Sequence, residues 1–554
     1  MVDTSGTAHW VDSYPPGVPA DLPVRDTSLV AAWRRRLAAD PHAKAVAYFD
    51  GALSATELDE LSDAFAAALQ GRGVGAGDRI GIQMQNIPQY VICFLALWKL
   101  GAIAVLLNPM YKERELRHLI EDSGARGIVA EDQFHDTSVQ ASEGTAVEWI
   151  ITTSGLEYQT RNDPRVFRST EPGPISPDGD MAELIREHRG RTPEGYVPGL
   201  QDVALLTYTS GTTGPPKGAM NTHGNVLAVA AGCAAWMGVE PGDSVLAVAP
   251  LFHITGAVID SATPLLHGAT LVFVNRTDPA VVIDAFAEHS VTCTTGSITV
   301  FNALYQVPDA DPQAFASVKT LFSGGAPIPP ATVESFRERF GHYIHNIYGM
   351  TESTSSVIAV PPGTEAPVDP ASGSLAIGLP MPNLTVRVVD ADGRALPVGE
   401  QGELEMSGPQ IVPGYWDNPE ATARTMPEGK LRTGDVAVLD EDGWVYIVDR
   451  LKDQINASGY KVWPREVEDV LYEHPAVYEA AVVGQPDPYR GETVVAYVSV
   501  RAGRTVTEEE LIDFTKQRLA AYKYPRIVHV IDDLPKTQTG KIRRRALRDD
   551  LTKG

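Results

Sequence analysis

The run "YTSGTTGPPKG", Tyr208 to Gly218, gathers glycine, threonine and serine ahead of a lysine. Glycine lets the backbone curl until several N–H groups face one anion, so this composition predicts a polyphosphate cradle. The spacing is not the G-x-x-x-x-G-K-[ST] of nucleotide hydrolases. Here the lysine follows Pro215 and Pro216, and Gly218 stands where a magnesium-holding hydroxyl would be. Four further stretches carry polar chemistry: "NIYGMTES" (346–353), "LRTGDVAVLDEDGWVYIVDRLKD" (431–453), "NASGYKVWPREVE" (456–468) and "KTQTGKIRRRAL" (536–547). Between Lys536 and Lys553 lie seven basic and two acidic residues. Within them Lys541 follows a Thr-Gly turn that can insert it as a point charge.

These residues need a scaffold. "AVAYFDG", "RIGIQM", "AIAVLLN", "GIVAED" and "EWIITT" read as strands, and "ATELDELSDAFAAALQGRG" as an amphipathic helix. Strand signals resume at "VALLTYTS", "SVLAVAP", "TLVFVN", "TLFSGG" and "YIHNIYG". This alternation predicts α/β layers with mainly parallel sheets. From about Leu384 hairpin signals take over in "LTVRVVDADGRALP", "GELEMSG" and "VAVLDEDGWVYIVDR", predicting a β-rich subdomain. A small α+β domain follows, with the helix "TEEELIDFTKQRLAAYK" opened by a Thr507/Glu510 capping box. The expected division is 1–450 and 451–554, with a boundary near Lys452. "GRGVGA" at 71–76 fits a loose dinucleotide fingerprint but lies between a helix and a strand, the reverse of the required order.

Composition narrows the partners. Acidic residues outnumber basic ones 71 to 46, for a net charge of −25. That field repels nucleic acid and anionic membranes, so a polyanionic substrate needs a local positive site. Cys93, Cys233 and Cys293 are widely spaced and form neither a disulfide framework nor a metal pattern. The N-terminal stretch lacks the basic and apolar regions of a secretion signal. The window "YVICFLALWKLGAIAVLLN" reads as a buried helix running into a buried strand. A cytoplasmic protein is expected.

Taken in order, the five polar stretches resemble the adenylate-forming superfamily of acyl-CoA synthetases, firefly luciferase and nonribosomal adenylation domains. The resemblance implies that a carboxylate attacks the α-phosphate of ATP, releasing pyrophosphate, and that the acyl group then passes to a thiol. Joining two anions calls for positioning and charge neutralisation rather than a side-chain nucleophile. The absence of a G-x-S-x-G elbow agrees.

The resemblance also implies roles. Thr209, Ser210, Gly211, Thr212, Thr213, Gly214 and Lys217 would wrap the β- and γ-phosphates, while Glu352 would hold magnesium, which prefers hard oxygen ligands. Tyr348 would stack on adenine, with Gly349 beside it, and Thr351 would reach the α-phosphate. Gly324, Gly325, Ala326 and Pro327 would line adenine and acyl group, and Asp435 and Arg450 would take the ribose. Lys541 would bridge carboxylate and α-phosphate, and His253 would gate acyl and thiol entry. Lys452 would be the hinge on which a mobile C-terminal domain brings Ser458 and Gly459 to a pantetheine tunnel. ATP, magnesium and CoA are thus the expected small molecules.

The segments around "PLFHITGAVIDSATPLLHG" are apolar and offer no base for a second carboxylate, so a monocarboxylic acid is expected. Asp260, their single acid, reads as a hydrogen-bonded or surface residue, with amine recognition as the alternative. "FNALYQ" and "YPPGVP" look most like medium- to long-chain fatty-acid ligases; coumarate- or benzoate-type ligases are the alternative. A carrier-protein-loading enzyme would share every motif, but no carrier domain follows Lys541. A nucleotide-hydrolysing switch is the reading from another class, and it would release phosphate instead of pyrophosphate.

Overall fold

The computed structural model describes residues 9–209, 215–326, 328–370, 374–450, 453–457, 460–487, 491–537 and 541–551. Among the described residues the strands form four sheets. The first runs in the order Trp149–Thr153, Gly127–Glu131, Arg79–Gln83, Ile103–Leu106, Val203–Tyr208, Gly218–Thr222, parallel except for its last strand. The second has a parallel centre of Ile344–Met350, Thr320–Gly324, Cys293–Gly296, Ser244–Leu246, Thr270–Phe273 and Lys44–Tyr48. Antiparallel strands flank it on both sides. These are the α/β layers that the sequence pattern predicts.

Local signals explain the elements. Ala55–Gly71 starts at a complete Ser54/Glu57 capping box. Pro88–Leu100 is buried on all sides and ends at Gly101 in the left-handed region, the turn that feeds the buried strand Ile103–Leu106. Its one charge, Lys99, lies 2.7 Å from both Asp59 and Asp63. "GRGVGA" ends the helix Ala55–Gly71 and leads into the strand Arg79–Gln83, the helix-then-strand order read from the sequence.

The third sheet is the β-rich subdomain, Thr385–Val389, Gly402–Ser407, Leu431–Leu439 and Val445–Arg450, antiparallel throughout. The expected hairpin at 384–397 is reduced to a single bridge, Val389 to Ala395, and Thr385–Val389 pairs with Gly402–Ser407 instead. Pro397 brings no N–H to extend a return strand there. The fourth sheet, built on the long hairpin Val477–Asp487 and Gly491–Val500, has its own apolar core of Val467, Leu471, Val482, Val494 and neighbours. Thr507 caps the helix that follows, accepting from Glu510 N at 3.1 Å, but that helix stops at Lys516, short of the pattern reaching Lys523. The Thr515 hydroxyl bonds the carbonyls of Leu511 and Ile512, a side-chain competitor for the helical ladder.

A buried polar seam joins the two large sheets. Asn86, beyond the strand Arg79–Gln83, exchanges backbone hydrogen bonds with Asn275, beyond Thr270–Phe273, at 3.0 and 3.1 Å. Its side-chain amide donates to Ala247 O and Ala249 O at 3.0 Å each and accepts from Leu251 N at 2.9 Å. The predicted strand "SVLAVAP" stops at Leu246: beyond it Ala247 N still donates to Val272 O, but the carbonyls of Ala247 and Ala249 turn to the Asn86 side chain. Beside the seam Glu131 is buried, accepting from Gln85 N at 2.9 Å and Gln133 Nε2 at 2.6 Å. Burial, with a smaller push from Asp132, raises its carboxyl to about 7.

A carboxyl raised on folding stabilises the fold below its unfolded value near 4.5, and that contribution fades as pH climbs to about 7. Glu131→Gln, with the Gln133 amide free to flip, is therefore expected to raise stability at pH 8, by at most about 3 kcal/mol. It should also flatten the fall in melting temperature between pH 4.5 and pH 7. Thermal melts of both proteins across that range check this; parallel curves would contradict it.

Candidate active site

The run Tyr208–Gly218 joins two antiparallel partners, the strands Val203–Tyr208 and Gly218–Thr222. Tyr208 and Gly218 are register partners, and Thr209 N donates to Lys217 O at 3.0 Å while Lys217 N donates to Thr209 Oγ1 at 3.3 Å. Thr209 and Lys217 thus close the base of the loop; Ser210, Gly211, Thr212, Thr213 and Gly214 lie outside the described residues. Burial lowers the Lys217 ammonium from its ordinary value, while the nearby Glu352 charge opposes that shift.

Glu352 sits in the tight connection between Ile344–Met350 and Ser355–Ala359. Thr354 and Ser355 take positive φ values of 55° and 94°, an uncommon conformation for side-chain-bearing residues. Gly349 is required by close approach, since a Cβ there would fall 1.9 Å from Ser355 O. Asn221, on the strand Gly218–Thr222 after that run, donates to Thr351 O at 3.2 Å and Thr354 Oγ1 at 3.1 Å. Thr351 and Glu352 are thereby tied to the loop's own strand. Glu352 is buried, and Tyr415 donates its hydroxyl to Glu352 Oε1 at 2.5 Å.

On the strand leading to the Glu352 turn, Tyr348 donates its hydroxyl to Asp435 Oδ2 at 2.6 Å, so two residues 87 apart in sequence meet. Asp435 is the register partner of Arg450 on the neighbouring strand. Its N–H donates to Thr433 Oγ1 at 3.1 Å.

Lys541 reaches this surface from the fourth sheet's body. Thr537 N donates to Lys541 O at 2.6 Å and Lys541 N to Thr537 Oγ1 at 3.1 Å, closing the turn that presents the lysine. Gly325, at φ 80°, is where it lands: a Cβ built there would lie 3.0 Å from Lys541 Cε and 3.6 Å from Nζ. Gly324 is equally constrained, a Cβ there falling 2.4 Å from Ile347 O, and Ala326 packs against the main core. His253 belongs to the same group. Burial first, then the Lys541 charge, lowers its imidazole to about 3. Its Nδ1 accepts from Thr255 N at 3.3 Å, which puts the proton of the neutral ring on Nε2.

Behind His253 runs a π-helix, Gly256–Ala262, a form that often marks functional sites. It sits directly on the His253 loop, where a Cβ at Gly256 would meet Pro250 O at 2.2 Å. Asp260 is fully buried in it and accepts from Ala249 N at 3.0 Å. Burial holds its carboxyl far above the ordinary range, so it is a neutral hydrogen-bonded acid and no anionic partner for an amine. The three cysteines are buried free thiols, and burial pushes Cys293 up to about 12, which rules out a thiolate nucleophile there.

Thr209, Lys217, Thr351 and Glu352 are thus drawn together, as are Tyr348 with Asp435 and Gly325 with His253 and Lys541. Pro327, Lys452, Ser458 and Gly459 lie outside the described residues, as does the side chain of Arg450. Sequence reasoning missed Tyr415 and Asn86. The signal for Tyr415 was the aromatic pair in "VPGYWDN", large apolar residues in a loop otherwise rich in turn formers. Asn86, in "QMQNIP", gave no comparable signal.

Residues 33–416 match the family model of the AMP-binding enzyme, and residues 466–541 match that of the AMP-binding enzyme C-terminal domain. The chain belongs to the AMP-binding enzyme family. Relatives of this AMP-binding enzyme include the long-chain-fatty-acid–CoA ligase of Escherichia coli O6:H1, 37% identical over 98% of each chain. The Bacillus subtilis protein of that name is 34% identical over 98% of each, and the feruloyl-CoA synthase of Amycolatopsis is 34% identical over 92% of this chain and 96% of its own. Among solved structures, the anthranilate CoA ligase AuaEII with anthranoyl-AMP superposes with a TM-score of 0.84 at 27% identity, covering 96% of this chain and 98% of that one. ATP-bound MatB from Rhodopseudomonas palustris gives 0.83 at 27% identity, covering 94% and 98%.

Gly325→Ala in this AMP-binding enzyme is expected to fold, at a cost on the order of 1–2 kcal/mol for left-handed backbone. It should slow adenylate formation by roughly tenfold or more by displacing Lys541. Melting curves beside adenylation rates test this, and an unimpaired rate in the folded variant would contradict it. His253→Gln should leave the shape of the pH–rate profile between about pH 5 and 9 unchanged, because a ring at about 3 stays neutral there. An inflection near neutrality that vanishes with the histidine would contradict the assignment.

Proposed function

We propose that this AMP-binding enzyme is a carboxylic acid–CoA ligase acting on medium- to long-chain fatty acids in the cytoplasm, with ATP and magnesium. The observation that carries the reading is the meeting of Lys541 with Gly325 and His253, from two separate cores. The identities of 34–37% to long-chain-fatty-acid–CoA ligases over nearly the whole chain support the acyl class. The feruloyl-CoA synthase and anthranilate CoA ligase likenesses keep an aryl acid as the second reading.

In this reading Thr209, Lys217 and the loop between them hold the β- and γ-phosphates. Glu352 fits magnesium: it is a buried hard-oxygen donor with Oε1 already bonded and Oε2 left for a cation. When bound, the metal screens the phosphate charges from the incoming carboxylate. Asp435 and Arg450 take the ribose, and Tyr348, fixed by Asp435, lies against adenine. Lys541 places its ammonium between the acid's carboxylate and the α-phosphate, where the like charges meet. A carboxylate oxygen forms the bond to the α-phosphorus and pyrophosphate leaves. The CoA thiolate then attacks the acyl carbon and AMP leaves.

In this reading the C-terminal body, 451–554, turns about Lys452 between the steps, so that Lys541 serves the first and the Ser458–Gly459 loop the second. The arrangement described here is that of the first step. In support, MatB matches it at a TM-score of 0.83 in its ATP-bound form and 0.74 in its apo form.

Pyrophosphate and AMP are the expected products with ATP, magnesium and a fatty acid, and a thioester only once CoA is added. Lys541→Ala should slow adenylation by roughly 2.7–4 kcal/mol of barrier, like the loss of an oxyanion donor, and spare thioester formation from pre-made acyl-adenylate. ADP and phosphate as main products, or equal loss in both steps, would overturn the reading. A panel of fatty and aryl acids in the same assay decides between the two acyl classes.

A further inference from the structure

Tyr415 stands between two charges that would otherwise attract each other. Its hydroxyl donates to Glu352 Oε1 at 2.5 Å, and Lys217 Nζ lies 4.1 Å from the centre of its ring. Ammonium over an aromatic face is a favourable contact, and a buried phenol requires an acceptor for its O–H. Both needs are met by residues of the phosphate site. The tyrosine is only 2% exposed, so neither contact is a chance surface encounter.

The backbone fixes this arrangement. Val412 N donates to Glu352 O at 3.0 Å, Met220 N to Gly414 O at 3.1 Å and Trp416 N to Gly218 O at 2.7 Å. Residues 412–416 are therefore bonded on one side to the Glu352 turn and on the other to the strand that follows Lys217. Gly414, at φ 159°, packs so closely that a Cβ would meet Thr422 Cγ2 at 2.7 Å. The segment has little room to shift.

We propose that Tyr415 is a positioning residue that holds Glu352 and Lys217 apart and aimed, so that Glu352 meets the cation through Oε2 alone and Lys217 keeps its charge for phosphate. This rests on the reading above of Glu352 as metal ligand and Lys217 as phosphate contact. Without the hydroxyl, Glu352 turns toward Lys217, whose charge it already feels, and each neutralises the other. Tyr415→Phe removes only the hydroxyl and leaves the ring under Lys217. Tyr415→Leu removes both contacts.

The test measures binding, without turnover, in the full-length protein. Manganese is titrated at saturating ATP and followed by the electron paramagnetic resonance of the free ion; ATP is titrated at saturating manganese by calorimetry. Tyr415→Phe is expected to weaken manganese about tenfold, the usual cost of losing a partner that orients a ligand, and to change ATP affinity far less. Tyr415→Leu should weaken both. Glu352→Gln should weaken manganese by itself, and adding Tyr415→Phe to it should cost nothing more, because the hydroxyl acts through that carboxylate. Glu352→Gln without effect on manganese overturns the metal-ligand reading. Glu352→Gln with an effect and Tyr415→Phe without one overturns this inference alone, as do losses that simply add in the double variant. If Tyr415→Phe fails to fold, Tyr415→His supplies a ring and an N–H donor, and metal affinity below that of Tyr415→Leu in that variant overturns the inference.

Discussion

The site depends on the backbone-and-side-chain knot at Asn86. Two parallel sheets each bring the carboxyl ends of their strands to one crevice, where open α/β sheets bind ligands. One carries the Tyr208–Gly218 run, the other the glycines facing Lys541. Nothing in either sheet fixes its height relative to the other except the contacts between them. Asn86 bridges both through its main chain, and its side chain holds the segment leading to His253. A buried amide with all three of these bonds made favours one geometry, since any slip would orphan them in a dry interior.

Around that fixed frame the protein solves a charge problem. A chain with a net charge of −25 must collect a polyphosphate and a carboxylate in one place. It uses few cations, each partly desolvated and each checked by a neighbour: Lys217 by an aromatic face, and Lys541 by a neutral histidine that brings no competing anion. The acids nearby are managed as well. Asp260 is kept neutral by burial, Glu352 is engaged on one oxygen, and Asp435 is bonded to Tyr348. In a low-dielectric site, a spare charge of either sign would cost more than it contributes.

Much of this was legible in the sequence because it was written in local code. Apolar runs of strand length, the Asp-Gly turn at 442–443 and the Thr507 cap name elements without reference to the rest of the chain. Four of the five polar stretches could be followed into the candidate site, through Lys217, Glu352, Tyr348 with Asp435, and Lys541, because their motif residues sit together in sequence as well as in space. What stayed hidden is non-local. Tyr415 and Glu352 are 63 residues apart, and Asn86 meets Leu251 across 165; neither pairing leaves a spacing to read. The overlong helix reading past Lys516 failed for a subtler reason. Periodicity reports which face is apolar and not where the ladder ends; here the last bonds, Arg518 N and Leu519 N to Thr515 O, close the helix while the apolar pattern runs on.

Gly325 leaves Lys541 so little spare room that an added methyl group would press on its Cε at 3.0 Å. The fit of the fourth sheet's body at this glycine is therefore close. Side chains that never see a substrate, such as Leu471 and Val482 in its interior, set how squarely that body is held. A cavity there would tilt the lysine, and a tilt of about 1 Å at the tip is enough to cost chemistry. The packing of a distant core thereby acts as a rate constant, and selection on turnover becomes selection on stiffness.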